Sequence, residues 1–561
     1  MGALIIERPF IIIIKMLSKF TLVILLSFLL ASFSFAEEIN SDKTQLSFSE
    51  LVAGLTTKKF DEKAVIIKKI QQLEHQRSLT ILSQLLDGKV YYKKDDKMVV
   101  IADIKDKTAN IINASTGESL GQTPKNKLKK VGINNKLRRV LNSSIAQLSL
   151  ADEDAKVRKS AAVEMFKNMD DETSSILKQR LTVEKNKHVI SALQTAISIN
   201  QLNSPIHEKK LQAIESLSKS LYPEVRVALR DLEKDLSSKT QTPNSQILLQ
   251  AIQGSLKTIE SSVGIYKQIE NIFFGVSLGS VLLLVAVGLA ITFGVMGVIN
   301  MAHGEMLMLG AYTTYIIQLL LPNHIEYSIL ISIPTAFVFT GLVGIGIERG
   351  VIRFLYGRPL ETLLATFGIS LILQQAVRTL ISPQNRAVST PDWMSGSLEI
   401  NPALSLTYNR LYIIIFALVV LAGLMLLLNK SKFGLQVRAV TQNRSMAKAM
   451  GIRTDWVDAF TFGLGSGIAG IAGVALSQLT NVGPNLGQAY IIDSFMVVVF
   501  GGVGNLWGTL FGAMTLGIAN KYLEPVTGAV LAKIIVLVLI ILFIQKRPRG
   551  MFALKGRSAD N

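Results

Sequence analysis

The stretch FFGVSLGSVLLLVAVGLAITFGVMGV (residues 273–298) carries no charged side chain, and Ile299, Asn300, Met301, Ala302, His303, Gly304 and Glu305 follow it. As a helix its 26 residues would extend about 39 Å at ~1.5 Å per residue. That exceeds the ~30 Å hydrocarbon core of a bilayer, so the run predicts a membrane span. Further apolar runs follow at short intervals: Met306–Leu321, Ile329–Ile347, Leu360–Ile381, Leu411–Leu428, Val457–Leu476, Ile491–Phe500, Leu506–Ile518 and Val526–Ile544. Several are short or broken by glycine. The pattern predicts a mainly α, polytopic membrane bundle of about eight to nine spans, some of them broken helices.

Composition agrees. Of 561 residues 49% are hydrophobic and 18% charged, with mean hydropathy +0.38. This excludes disorder, and it argues against a wholly water-soluble enzyme, whose surface needs about 25% charge. The charge is also uneven. Glu37 to Glu270 holds 37 Lys+Arg and 29 Asp+Glu, whereas the longer Asn271 to Asn561 holds 19 and 11. A net charge of +18 would invite a nucleic-acid reading if the cations formed one face or arm. They are instead dispersed through a mixed-charge segment and then confined to connections, so membrane lipid is the expected surrounding and no nucleic acid is expected. With no cysteine, neither disulfides nor thiolate chemistry is available, and no metal or other cofactor is expected.

Upstream, Lys19, the apolar run Phe20 to Leu30, and Ser34-Phe35-Ala36 read as a secretory signal cleaved after Ala36. Translation from Met16 would give it ordinary length; an uncleaved anchor is the alternative. From Glu37 no run is long enough to span until Ser262. Val90-Tyr91-Tyr92 and Met98 to Ile101 flank the polar turn Lys94-Asp95-Asp96-Lys97, predicting a hairpin within a β element near 89–121. Beyond Ala151 the period is helical, with Ile206, Leu211, Ile214, Leu217 and Leu221 on one face and Val225, Leu229, Leu232 and Leu236 on the next. Val157-Arg158 and Val225-Arg226 lie 68 residues apart, which fits a HEAT-like solenoid and equally a non-repeating bundle. The expected domains are a signal (1–36), an exported helical domain (37–265), a transmembrane domain (266–546) and a tail (547–561).

Orientation follows from basic residues in the connections. One alternate set carries Arg349, Arg353, Arg358, Lys430, Lys432, Arg438, Arg444, Lys448, Arg453, Lys546, Arg547, Arg549, Lys555 and Arg557; the other carries only Arg378, Arg386, Arg410 and Lys521. The C-terminus is therefore expected in the cytoplasm, and nine crossings put residues 37–270 outside, in agreement with the signal. Small residues at four-residue spacing, such as Gly275/Gly279, Gly463/Gly467 and Gly504/Gly508/Gly512, predict close helix packing.

Asn300, His303 and Glu305 interrupt two apolar runs, where broken helices offer backbone groups to a polar solute; a cytoplasmic turn with Glu305 capping the next helix is the alternative. Gln374 and Gln375, with Asp493, are further candidates for a substrate pathway, and Arg378 is a polar candidate in the same run that is expected to be interfacial. Gly275-Val276-Ser277-Leu278-Gly279 matches G-x-S-x-G formally, but it enters an apolar helix instead of a strand-to-helix elbow, so no catalytic residue is expected. No G-x-x-x-x-G-K-[ST] sequence occurs, and any ATP hydrolysis must come from a partner. The connection Asn429 to Trp456 contains an amphipathic basic stretch ending at Gly451, suited to a docking helix; a solvated loop is the alternative.

Gly294 to Met306, the connection from Arg438-Ala439 to Gly451-Ile452, and Arg547-Pro548-Arg549-Gly550-Met551-Phe552 together resemble the branched-chain amino acid type of ABC importer permease. The terminal motif departs mildly, with Met551 where Leu is typical. Gly310 to Tyr315, Asn385 to Ser389 and Trp393 to Gly396 resemble more specifically the urea-transporting permease subunit of that family. The resemblance covers Asn271 to Arg557. It implies a bacterial inner-membrane transporter working by alternating access, with a second homologous permease subunit, two cytoplasmic ATPase subunits and a periplasmic urea-binding protein. It also implies that Arg438, Ala439, Asn443, Ala447 and Gly451 belong to a segment coupling to an ATPase. Branched-chain amino acids or short amides as cargo, or a passive urea channel, are the alternatives.

Overall fold

The computed structural model describes residues 48–552 apart from 74, 106–107, 168–170 and 239–241. The expected signal and the end of the tail lie outside the described residues. The chain forms two compact units that divide between Ile259 and Glu260.

In the first unit a five-stranded antiparallel sheet, ordered β4-β3-β2-β1-β5, is built from β1 (Val90–Lys93), β2 (Val99–Lys105), β3 (Thr108–Asn113), β4 (Ser119–Pro124) and β5 (Leu128–Lys130). The expected hairpin is its centre, with Val90 opposite Ile101. Its turn is closed by Asp96 Oδ1 accepting from the Met98 amide at 2.9 Å, and Lys97 takes a left-handed φ of 58°. Ile67, Ile70, Ile81, Leu82 and Leu85 of the helices Phe60–Gln72 and Ser78–Leu86 share a core with Val90 and Val99.

Helices Asn135–Ser149, Ala155–Glu164, Asp171–Val183, Lys187–Gln201, His207–Leu217 and Pro223–Ser238 follow. Asn134, Asp154 and Asn186 cap three of them through side-chain acceptors, which satisfies amide donors that the helix itself leaves free. Lys187–Gln201 is the hub, burying Val189, Ala192, Leu193 and Ala196 against neighbours before and after it in sequence. Arg158 forks onto both carboxylate oxygens of Glu184 at 2.8 and 2.9 Å and onto the carbonyls of Asp152 and Glu153. Ile214, Leu217, Val225 and Leu229 are buried as their spacing predicts, but Ile206, expected on the same face, is exposed. It precedes the first helical residue, His207, so the helical period does not yet govern it.

The second unit holds α1 (Pro243–Met296) from Glu260 onward, then α2 (His303–Leu320), α3 (Ile325–Gly350), α4 (Pro359–Leu380), α5 (Tyr408–Lys430), α6 (Lys432–Gln442), α7 (Arg444–Ala449), α8 (Thr454–Ser477), α9 (Leu486–Gly501), α10 (Leu506–Thr527) and α11 (Ala529–Lys546). The start of α1 packs within the first unit, where Ser255 Oγ donates to the Ile214 carbonyl at 3.3 Å. Among the described residues α1, α3, α4, α5, α8 and α11 are long and apolar enough to cross a membrane. The shorter α9 and the less apolar α2 and α10 account for the remaining runs. The last boundary differs from the sequence reading: α10 continues to Thr527, and Gly528, at φ 81°, makes the break before α11.

Helix α8 is the centre of the unit, packed on α2 and α3 and buried along nearly its whole length. Glycine permits this. A Cβ on Gly465 would lie 2.7 Å from the Gly288 carbonyl oxygen, and one on Gly275 would lie 2.6 Å from the Ile518 Cα. In lipid such close approach replaces the missing hydrophobic drive for helix association.

Connections of alternate parity meet one another. At one end Gln318 of α2 exchanges hydrogen bonds with Ser389, Trp393 Nε1 donates to the Glu326 carbonyl at 3.0 Å, and Arg386 bridges Val482. At the other end Arg444 meets Tyr356, and the Arg349 guanidinium lies 4.1 Å over the Trp456 ring. There too the Met551 and Phe552 amides donate to the carbonyls of Phe500 and Gly501. This second end carries the lysine- and arginine-rich set.

Candidate functional site

Helix α1 stops at Gly297, whose φ of 68° turns the chain out of the helix, and six residues pass before α2 begins. Asn300 is buried and its Oδ1 accepts from the Ala302 amide at 3.0 Å. His303 is buried at the first turn of α2. Its Nε2 lies 3.0 Å from the Val285 carbonyl; a carbonyl only accepts, so Nε2 donates. Its Nδ1 has no partner.

Glu305 is 1% exposed. Its Oε1 accepts from Ser370 Oγ at 2.9 Å and Gln374 Nε2 at 2.8 Å, whereas Oε2 is buried with no partner. No ion pair among the described residues involves it. Its donors belong to a column along α4. Thr362, Thr366, Ser370 and Gln374, each four residues on, are all buried, and helical neighbours at that spacing share a face. Thr366 Oγ1 accepts from the Met301 amide at 3.2 Å, and Arg378, the next member, donates to Asn485 Oδ1 at 2.6 Å. The column has a period of four in the sequence, but its hydroxyls lie near zero in hydropathy, so only Gln374 and Arg378 stand out among its members.

The other pathway candidates lie apart. Gln375, one position on, is exposed, and its side chain donates to Thr379 Oγ1 at 3.5 Å. Asp493 of α9 forms an ion pair with Lys533 of α11 at 2.9 Å. Lys533 sits inside the apolar run Val526–Ile544 and so belongs to no connection. Among the described residues no three His, Asp or Glu converge to hold a metal.

At the base of the unit α6 and α7 form a short helical elbow. Ser431 caps α6 and Asn443 Oδ1 caps α7 through the Met446 amide at 2.9 Å. Arg438 donates to the Leu428 carbonyl at 2.7 Å, Ala439 is half-buried, Ala447 is buried, and Gly451 has φ 85°. Val437, Val440, Ala447 and Val457 form one apolar cluster. Of the residues expected in this segment, Asn443 caps α7, Ala447 packs in that cluster, Arg438 ties α6 to the end of α5, and Gly451 turns the chain out of the elbow. Its outward face is Leu435, Met446 and Met450, the last two 59% and 78% exposed.

Residues 271–544 match the family described as branched-chain amino acid transport system / permease component. The high-affinity branched-chain amino acid permease LivH of Escherichia coli K12 is 31% identical over 294 residues, covering 50% of this chain and 94% of that protein. The chain belongs to this permease family. BraD of Pseudomonas aeruginosa is 29% identical over 296 residues, 51% of this chain and 96% of that protein. The ribose import permease RbsC of Haemophilus influenzae is 23% identical over 264 residues, 46% of this chain and 78% of that protein. No solved structure matches the chain. The permease-family match runs from just before the Phe273 run to near the end of α11 and so contains both the Glu305 cluster and the α6–α7 elbow. The first unit lies outside it.

Proposed function

We propose that the chain is the transmembrane permease subunit of an ATP-driven bacterial importer for urea, multi-pass in the inner membrane. On this reading residues 37–265 face the periplasm and the lysine- and arginine-rich end, with the C-terminus, faces the cytoplasm. A periplasmic binding protein delivers urea to a pathway shared with a second permease subunit. Two ATPase subunits engage the elbow and shift the bundle between conformations, which requires that they bind one conformation more tightly than the other.

The observation that carries the substrate assignment is the Glu305 cluster. A buried carboxylate oxygen without a partner costs free energy until a donor reaches it. Urea supplies N–H donors and a carbonyl acceptor, which suits Glu305 Oε2 and the Ser370 and Gln374 groups beside it. In this role Asn300 and His303 shape the entry to α2, and Glu305 and Gln374 touch the solute. Gln375 and Asp493 serve other contacts. The urea-like segments Gly310–Tyr315 and Asn385–Ser389 add support.

A second reading has branched-chain amino acids as cargo, favoured by the names of LivH and BraD. Uptake of labelled urea and of labelled leucine, in cells with and without this chain, separates them. Urea uptake that depends on the chain is expected, and chain-dependent uptake of leucine alone overturns the assignment.

A further inference from the structure

We infer that Arg444 is the joint through which ATPase docking reaches the transport bundle, a positioning residue that couples ATP hydrolysis to movement of the solute site; this rests on the ATP-driven reading above. Arg444 opens α7, the helix whose far side presents Met446 with Met450 just beyond it. Its guanidinium forms an ion pair with Asp458, and Nη1 also donates to Asp458 Oδ1 at 3.2 Å and to the Tyr356 hydroxyl at 2.9 Å. The same guanidinium lies 4.1 Å over the Tyr356 ring. Asp458 is buried in the second turn of α8, and Tyr356 lies three residues before α4.

One side chain thus grips α8 and the connection that leads into α4. Helix α8 packs on α2, which carries Glu305, and α4 carries Ser370 and Gln374. The planar guanidinium fork is suited to this, because it can bond two groups and stack on a third at once, which a lysine ammonium cannot. Arg444 is not what seats the elbow, since the apolar cluster of Val437, Val440, Ala447 and Val457 does that independently. Removing the fork should leave the elbow docked and able to bind an ATPase while its motion no longer reaches α4 and α8.

The test uses the complete transporter in liposomes, measuring solute uptake and ATP hydrolysis on the same sample for Arg444→Met, Arg444→Lys, Asp458→Asn and the swap Arg444→Asp/Asp458→Arg. The expected result is that uptake per ATP hydrolysed falls about tenfold or more in Arg444→Met and Asp458→Asn, with hydrolysis within about twofold of wild type. Arg444→Lys should fall between, and the swap should recover part of the ratio. Uptake and hydrolysis falling in parallel, an unchanged ratio, or loss of the assembled complex in both Arg444 variants overturns the inference. A wild-type complex that takes up solute without hydrolysing ATP overturns the transport reading instead.

Discussion

Glu305 and Asp458 are both buried carboxylates in the second unit, and the protein treats them in opposite ways. Asp458 has a cation on both oxygens, while Glu305 has two neutral donors on one oxygen and none on the other. A carboxylate held by a forked cation is fixed in place and serves as a mechanical joint. A carboxylate with a vacant, desolvated acceptor is ready for a ligand, because only a new donor completes it.

Four expected outcomes press on this contrast. The largest effect is expected at Glu305→Leu, which removes the vacant acceptor and strands the Ser370 and Gln374 donors; labelled-solute uptake should fall about a hundredfold, in line with ~2–3 kcal/mol for hydrogen bonds to a charged group. Uptake within about threefold of wild type at equal membrane abundance would remove Glu305 from the pathway.

Next comes the α9–α11 ion pair, whose two members differ in burial: the Asp493 side chain is 8% exposed and that of Lys533 is 48%. Lys533→Met leaves a buried charge unpaired and should destabilise the detergent-solubilised protein by about 3 kcal/mol. Asp493→Asn frees a lysine that can reach the membrane surface and should cost only about 1 kcal/mol. Thermal unfolding of both variants and the double variant reads this asymmetry, and equal losses would contradict it.

In the first unit Glu184 resembles Asp458 in accepting an arginine fork. Hydrogen bonds from Arg158, opposed by burial and aided by the Asn186 and Lys185 amides, hold its pKa down to about 2. A depressed folded-state pKa means that this stability is fully present above the ordinary carboxylate value of 4.5 and is lost as pH falls from there toward 2. Hydrogen-exchange protection around 152–186, taken relative to the intrinsic exchange rate at each pH, should fall over that window in wild type and should be already lower and flat with pH in Glu184→Gln. The smallest effect is expected for Gln375→Ala, which should leave uptake within about twofold; a tenfold loss would move the pathway to the outer face of α4.

Much of this arrangement can be read without coordinates. The apolar runs mark the helices, because a lipid-spanning segment has to satisfy its own backbone and can carry few charges. The asymmetry of basic connections groups loops that the structure then joins at two ends, as Gln318 with Ser389 and Arg444 with Tyr356 illustrate. The hairpin at Lys94–Lys97 is visible from its turn residues, whereas the Thr362 to Gln374 column, though periodic, is picked out only by the Glu305 and Met301 groups that it meets. The pairing of Asp493 with Lys533 was not visible, since each lies in a different apolar run and nothing local connects them.

The sequence by itself determined where the chain enters an apolar phase and which helical faces are small or polar, because these depend on local composition and a period of 3.6 residues. Only the tertiary structure decided what each polar group meets. It turned Gln375 outward and Gln374 toward Glu305, put Ala447 under the elbow and Met450 outside it, and paired Arg444 with Asp458 fourteen residues away. The physical reason is that a hydrogen bond or ion pair needs partners within about 3 Å, and helices that meet in space bring together residues whose separation along the chain carries no such information.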